Sequence, residues 1–436
     1  LWVYPYPSSL KREKVAKGYL KIEGVEVQNN KLNIYVRNIY DAKTQVDIVY
    51  FTSAAGAIII SATPENSPVT LNPDEVKTIT VSLPPEIQNT KSSVFIKVGS
   101  RTGACSSTYP ISTQAISQSS WLFGWSYRRK ITITENSGST LTDYQVRIVL
   151  DPSTLDDASD FFSKASYDDL RFTDYTGSNQ LSFYIELWDE ANLKAVVWVK
   201  VPSIQGSSTT DIYMYYGNPT VSSASSGSET CILFDDFESY PVGSRASPPW
   251  TIFTTRTRIP PVEADFSVQN IGGQNSYQNY QSSTAYPGGA YLDYSGSQYI
   301  VTGRVMDNTG TSNDPHPGLI FDFDDEDNWD GIYLREGSNQ LVWARVRGGY
   351  WSAATVWAVN LQRGVWYRIM VKVSSSGAHV YLDDNYMGTL SSIINPTKGV
   401  GFLFFNSGSD IGYFDNICVV NYVSPEPTYS IGGEES

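Results

Sequence analysis

Apolar and polar residues alternate along most of this chain with a period of two. Leu20-Lys21-Ile22, Val25-Glu26-Val27 and Leu32-Asn33-Ile34-Tyr35-Val36-Arg37-Asn38 set the pattern. Lys77-Thr78-Ile79-Thr80-Val81 and Val94-Phe95-Ile96-Lys97-Val98 repeat it. Such alternation places one face of a strand in a core and the other in water. No long helical pattern occurs. Two seams rich in Ser and Thr, Tyr109 to Ser120 and Gly217 to Thr230, interrupt the alternation and read as linkers. The expected architecture is all-β, with three consecutive β-sandwich domains. An extended N-terminal arm covers 1–19 and a small sandwich 20–108. A linker over 109–120 leads to a second β-domain over 121–222. A linker over 223–230 precedes a third sandwich over 231–424, and a C-terminal tail covers 425–436.

The 436 residues are enough for several cores. Thirty Tyr and eleven Trp with only 17% charged residues argue against disorder. A formal charge of −14 excludes the phosphate backbone of nucleic acid as a partner. Two histidines exclude any chemistry that needs several imidazole ligands. The longest apolar run, Ala54 to Ala62, is far below the roughly 18–20 residues of a membrane span. At the amino terminus Trp2, Tyr4 and Tyr6 precede the cluster Lys11-Arg12-Glu13-Lys14. Aromatics followed by cations are typical of a membrane–water boundary, so membrane contact is expected only through a segment removed ahead of Leu1. The alternative is an extended arm packed on a domain or donated to a neighbouring copy. Of three cysteines, Cys231 opens the first strand-like run of the third block and Cys418 lies in its last. First and last strands of a sandwich are commonly neighbours, so the two form a bridge worth about 4–5 kcal/mol or remain buried thiols.

Resemblances sharpen this picture. The I-x-G-V, V-x-N and LNPDE…TITV succession of the first block looks like the β-domains of archaeal pilin- and archaellin-like surface subunits, and like generic immunoglobulin-like adhesion modules. The second block contains Trp125-Ser126-Tyr127-Arg128-Arg129-Lys130-Ile131, Asp168-Asp169-Leu170-Arg171-Phe172, Ile185-Glu186-Leu187-Trp188 and Ile212-Tyr213-Met214-Tyr215-Tyr216-Gly217-Asn218. That ordered set resembles a family of archaeal and bacterial surface proteins, domain of unknown function twenty-three forty-one, which brings no reaction with it. The third block starts with Phe234-Asp235-Asp236-Phe237-Glu238 and ends with Tyr413-Phe414-Asp415-Asn416-Ile417. With Gly318 to Phe323 and Gly364 to Ile369 between them, it resembles a concanavalin A-like lectin/glucanase jelly roll, a fold that hosts binders, enzymes and structural modules alike.

The chemistry such a fold allows can be tested on the residues. Glycoside hydrolysis needs two carboxylates about 5–5.5 Å or about 6.5–9.5 Å apart. Glucanases of the superfamily carry Glu-x-Asp-x-Glu on one strand, a motif missing from the third block. Its nearest echo, Glu186-Leu187-Trp188-Asp189-Glu190, lies in the second block and would hold Glu186 and Glu190 about 13 Å apart. No catalytic residue is assigned. The acidic run Asp322 to Asp327 lacks the glycine and final glutamate of an EF-hand and reads as a solvated turn; Asp383-Asp384-Asn385 reads as a hairpin tip. Related sugar-binding jelly rolls hold a structural Ca²⁺, and the resemblance carries its ligands to Glu238 and Asp415. An antiparallel register with Cys231 facing Cys418 sets Asp235 opposite Phe414 and adds Asp235 and Asp236 to the set. Tyr350 and Trp351, beside the Gly348-Gly349 turn, and Trp343 are the candidates for stacking on sugar, with core packing the competing role for Trp343.

Together these readings predict a non-catalytic extracellular structural or adhesion protein at the cell surface. Its first expected form is a subunit of an archaeal pilus-like filament, its partners being copies of itself joined through the arm at Trp2, Tyr4 and Tyr6. The alternative is a carbohydrate-binding surface protein that grips polysaccharide, with a glycoside hydrolase third.

Overall fold

The computed structural model of the chain describes residues 19–28, 31–84, 87, 94–100, 106–111, 121–122, 124–177, 179–254, 266–280, 288–308, 316–404 and 411–436. Trp2, Tyr4, Tyr6 and Cys105 lie outside them. The regular structure is almost entirely antiparallel sheet, as the two-residue period requires.

In the first domain, Leu20–Gln28, Lys31–Asn38 and Val76–Ser82 form one sheet, and Ile58–Ala62, Ile48–Thr52, Val94–Gly99 and Tyr109–Ile111 another. Leu32, Ile34 and Val36 share one core with Val49, Phe51, Ile96 and Val98. The LNPDE…TITV segment is not a simple hairpin. Val69–Leu71 pairs with Thr44–Val46, whereas Val76–Ser82 pairs with Lys31–Asn38, so the intervening turn changes sheets.

The second domain packs a five-stranded sheet on a three-stranded one. The three-stranded sheet runs in the order Leu141–Leu150, Lys194–Ile204, Phe183–Asp189. Four strands of the larger sheet are Gln180–Leu181, Arg171–Asp174, Thr209–Tyr216 and Tyr127–Thr134. The fifth is Thr428–Glu435, the segment expected to be a tail. It pairs antiparallel with Tyr127–Thr134 and lays Tyr429 and Ile431 on the core. Its Glu434 accepts hydrogen bonds from Tyr216 Oη and Lys164 Nζ, both at 2.8 Å. The third domain is therefore an insertion: the chain leaves the second domain near 222 and returns to it at 428. The seam before the third domain is folded too, since helix Gly227–Thr230 is capped by Ser226 and buries Thr230.

The inserted domain is a two-sheet sandwich. One sheet runs Phe266–Ile271, Gln274–Tyr280, Ile411–Asn421, Tyr299–Asp307, Tyr367–Ser374, Gly377–Leu382, Asn385–Leu390, and Leu233–Asp235 also pairs with Ile411–Asn421. The other runs Thr251–Thr254, Gly288–Gly296, Thr397–Phe404, Gly318–Asp325, Asn328–Arg335, Gln340–Arg347, Tyr350–Ala358. Val301, Ile369 and Phe414 from the first meet Phe321, Ile332 and Phe402 from the second in the core. Opening and closing strands are neighbours, and Cys231 and Cys418 form a disulfide with Cα atoms 5.8 Å apart.

The register of that strand pair differs from the expected one. Phe234 lies opposite Cys418 and Asp235 opposite Ile417, not Phe414. Cys231 caps the C-terminus of the short helix, ahead of the strand, so the disulfide crosses outside the ladder and does not mark a paired rung.

The second and third domains are packed together. Tyr184 and Trp198 of the three-stranded sheet bury against Ile300, Met370, Cys418 and Val420 on the outer face of the jelly-roll sheet. Gln145 ties both ends of the insertion, donating to Thr230 O and accepting from Asn421 N at 3.0 Å each.

Candidate functional site

A cleft of about 910 Å³ opens where these two domains meet. Its wall in the second domain is strand Phe183–Asp189. Phe183 and Ile185 point into their own core and Tyr184 points to the jelly roll. A β-bulge then intervenes, because Ile185 pairs with Val197 and Leu187 with Val196, leaving Glu186 as the extra residue. Bulges re-aim side chains, and Glu186 lines the cleft together with Trp188 and Asp189. Trp188 is braced edge-on by Phe162 at 5.3 Å.

The opposite wall comes from the jelly roll. Asp415, Arg304 and Arg368 stand side by side on three adjacent strands, with Arg304 paired to both of the others. Arg304 Nη1 lies 3.9 Å from Asp415 Oδ2, and its guanidinium sits 4.9 Å from the centre of the Trp366 ring. Asp236, Glu238 and Gln274 complete this side. Buried Asp415 is pushed up to about 7. Burial dominates, Arg304 opposes it, and the nearby charges of Asp236 and Glu238 push the same way as burial. Tyr184 lies between the two walls: burial raises it well above the usual tyrosine range, and Glu186 and Asp415 both add to the rise.

Charged residues also lock the floor. Asp383 and Asp384 form the two-residue turn between strands Gly377–Leu382 and Asn385–Leu390, both with left-handed φ (45° and 71°), as a tight hairpin requires. This is the expected hairpin tip. Asp384 accepts from Arg368 Nη2 at 2.6 Å, from Lys194 Nζ at 2.8 Å and from Arg147. Burial raises the Asp384 carboxyl, but Arg147, Arg368 and Lys194 more than offset it and hold it below the ordinary range. Glu186, 4% exposed, faces the same two arginines at 3.7 and 3.8 Å, and among the described residues its oxygens and the Nε atoms of both arginines lack a hydrogen-bond partner.

The structure divides the expected site residues. Asp236, Glu238 and Asp415 do share one cleft. Asp235 does not join them. It is buried and accepts from Trp250 Nε1, Tyr240 Oη and Phe237 N at 2.7–2.9 Å, which makes it a core anchor. Among the described residues no group of three or more His, Cys, Asp or Glu converges as metal ligands. Trp343 is a core residue, 5% exposed, with its indole N–H on Asp330 at 3.0 Å. Tyr350 is 80% exposed at a turn, and Trp351 leans on Tyr333 at 6.3 Å over an apolar cluster on the far sheet. Both lie outside the cleft. The acidic run is only partly solvated: Glu326 and Asp327 make the turn, but Asp322 is fully buried opposite Asp330.

The pattern of the chain gives Trp188, Arg304 and Arg368 no role of their own, reads Trp366 as a core residue within an alternating strand, and offers Glu186 only as a failed hydrolase motif; the structure instead leaves Trp366 half-buried ahead of strand Tyr367–Ser374, on the wall of the cleft. The one local signal was the break in alternation at Glu186-Leu187-Trp188.

The family described as Domain of unknown function (DUF2341) matches residues 166–253. The match starts inside the second block and runs through Cys231 into the jelly roll, so it includes the Glu186 wall of the cleft and also Asp236 and Glu238. No curated protein matches the chain. Among solved structures it is similar to the carbohydrate binding module CBM66 from Bacillus subtilis, at 13% identity and a TM-score of 0.31 over 39% of this chain and 95% of that one. It is similar to the cellulose induced protein Cip1 at 15% identity and a TM-score of 0.31 over 43% and 96%. A putative beta-glucanase from Mycobacterium abscessus is similar at 13% identity and a TM-score of 0.32 over 43% and 99%.

Proposed function

We propose that this protein is a non-catalytic extracellular glycan-binding protein whose ligand seat is the cleft between the second domain and the jelly roll. One observation carries the reading: aromatic rings on opposite walls, Tyr167 and Trp188 against Trp366, flank a cleft otherwise lined by carboxylates, amides and guanidinium groups. Aromatic faces pack on the C–H faces of sugar rings, and the polar groups exchange hydrogen bonds with hydroxyls. The volume suits a short oligosaccharide. The walls are preorganised by the disulfide, the Asp384 cluster and the Gln145 bonds, which lowers the ordering cost of binding. The disulfide also fits an oxidising, extracellular setting. Among the described residues no helix is long and apolar enough to cross a membrane. Filament assembly through Trp2, Tyr4 and Tyr6 draws on residues outside those described, and nothing in the described ones favours it over glycan binding.

A glycan array, repeated with Trp366→Ala and with a calcium chelator, tests the proposal. Binding lost in Trp366→Ala and retained with chelator is the expected result. An array without signal, or release of reducing sugar from a bound glycan, overturns it.

A further inference from the structure

The jelly-roll wall of the cleft carries a backbone irregularity of its own. Along strand Ile411–Asn421, Cys418 pairs with Thr302 and Asp415 with Arg304, so Asn416 and Ile417 together oppose the single residue Gly303. On the other side of the same strand, Leu233–Asp235 pairs as far as Ile417 and Gln274–Tyr280 pairs from Phe414 onward. Asp415 and Asn416 fall in the gap between them. The result is a β-bulge in which Asn416 has a left-handed φ of 52°. Glycine is the default residue at such a position, because a Cβ there is strained. Strained non-glycine residues of this kind concentrate at ligand sites. Regular alternation would turn one of two adjacent residues away from the cleft, whereas the bulge lets Asp415 and Asn416 both line it. Glu186 on the facing wall is brought in by a bulge as well.

The half-buried Asn416 side chain is only partly engaged by the fold. Its Nδ2 donates to Asp415 Oδ2 at 3.2 Å, and its backbone N–H donates to Asp415 Oδ1 at 2.8 Å. The carbonyl oxygen Oδ1 accepts no hydrogen bond among the described residues. The Nδ2 bond fixes which way the amide faces, since a carbonyl oxygen turned toward the carboxylate would be repelled. A glycine at 416 would keep the backbone bond and relieve the strain, so the bulge by itself does not call for asparagine. What asparagine adds is one oriented acceptor on the cleft wall. A hydroxyl can donate to it; sulfate and carboxylate cannot. Carboxylates also outnumber cationic groups along the lining, which disfavours anionic sugars further.

We infer that Asn416 is a recognition residue of the cleft, held in a left-handed bulge so that its amide oxygen accepts a hydroxyl of an uncharged sugar. This rests on the glycan-binding reading above and names the chemistry that the same site selects. Loss of one neutral hydrogen bond corresponds to about three- to tenfold in affinity.

The test compares Asn416→Gly with the parent on an array of neutral cello-, xylo-, manno- and chito-oligosaccharides and of oligogalacturonates, with calorimetry for each glycan that binds. The parent is expected to bind a neutral oligosaccharide and to bind the galacturonates more weakly. Asn416→Gly is expected to bind that neutral oligosaccharide about three- to tenfold more weakly while melting at or above the parent's temperature. A purely structural asparagine would give the reverse, a lower melting temperature. Binding unchanged in Asn416→Gly, a lowered melting temperature, or a preference of the parent for galacturonates overturns the inference and leaves the glycan-binding reading standing. Silence of the parent on the whole array overturns both.

Discussion

Lys194 of the second domain donates to Asp384 of the jelly roll at 2.8 Å, and Arg147 and Arg368 close on the same carboxylate from either side of the domain boundary. The turn that presents Asp384 belongs to one domain and two of its three cations to the other. The hairpin tip thus adds a charged clamp to the apolar seam around Trp198 and Cys418 that docks the two domains.

Removing that charge should be expensive. Asp384→Asn leaves three cations crowded around a neutral amide, a loss of about 3 kcal/mol by comparison with broken buried ion pairs. The sign of the pH dependence follows from the depressed folded-state pKa of Asp384. Its contribution is complete above the unfolded value of about 4 and is lost as pH falls below it. Thermal unfolding from pH 3 to 7 should show a steeper acid loss in the unmodified protein than in Asp384→Asn. Parallel curves would mean that the cluster does not hold the domains.

Asp322 predicts the opposite slope. It is fully buried and is pushed up to about 8, first by burial and then by the facing charge of Asp330. Between about pH 4 and 8 the native state therefore holds a proton that the unfolded chain has released, and stability falls as pH rises through that window. Asp322→Asn cannot ionise, so it should equal the parent near pH 4 and exceed it by about 1–3 kcal/mol at pH 8. Denaturant titrations at the two pH values check this; a gain that is the same at both would refute the assignment.

Deleting residues 428–436 tests the insertion topology. A dangling tail would be neutral. An edge strand that carries Ile431 and the Glu434 contacts to Tyr216 and Lys164 would not be. The truncated protein should lose at least about 2 kcal/mol, or roughly 8–16 °C in melting temperature for a domain of this size. Calorimetry that finds an unchanged second-domain transition would count against the fold described above.

The two groups of aromatics make separable predictions. Trp188→Ala and Trp366→Ala should each weaken glycan binding about tenfold or more, the scale of a lost ring contact with its buried area. Tyr350→Ala and Trp351→Ala, outside the cleft, should leave it within about twofold, a few tenths of a kcal/mol. Isothermal titration with the best array ligand distinguishes them, and the reverse pattern would move the site to the Tyr350 turn.

By itself the sequence determined the class of structure. Period-two alternation at runs such as Leu32 to Asn38 can be buried in one way only, so sheets and their approximate limits were legible, as was the Asp383-Asp384 hairpin tip. The nearness of Cys231 and Cys418 followed from a sandwich that closes its last strand on its first. Their register did not, because a disulfide at a helix cap constrains distance without naming the paired rung. Local pattern is equally silent about partners far along the chain. Nothing around Tyr429 or Ile431 says that they complete a sheet begun at Tyr127, some three hundred residues earlier. The cleft shares that origin: Glu186 and Arg304 belong to different domains, and their shared cleft exists only because buried apolar faces around Trp198 and Cys418 force those domains together. Strand identity is a property of neighbours in sequence; a binding site assembled from two domains is a property of packing, which the chain expresses only once folded.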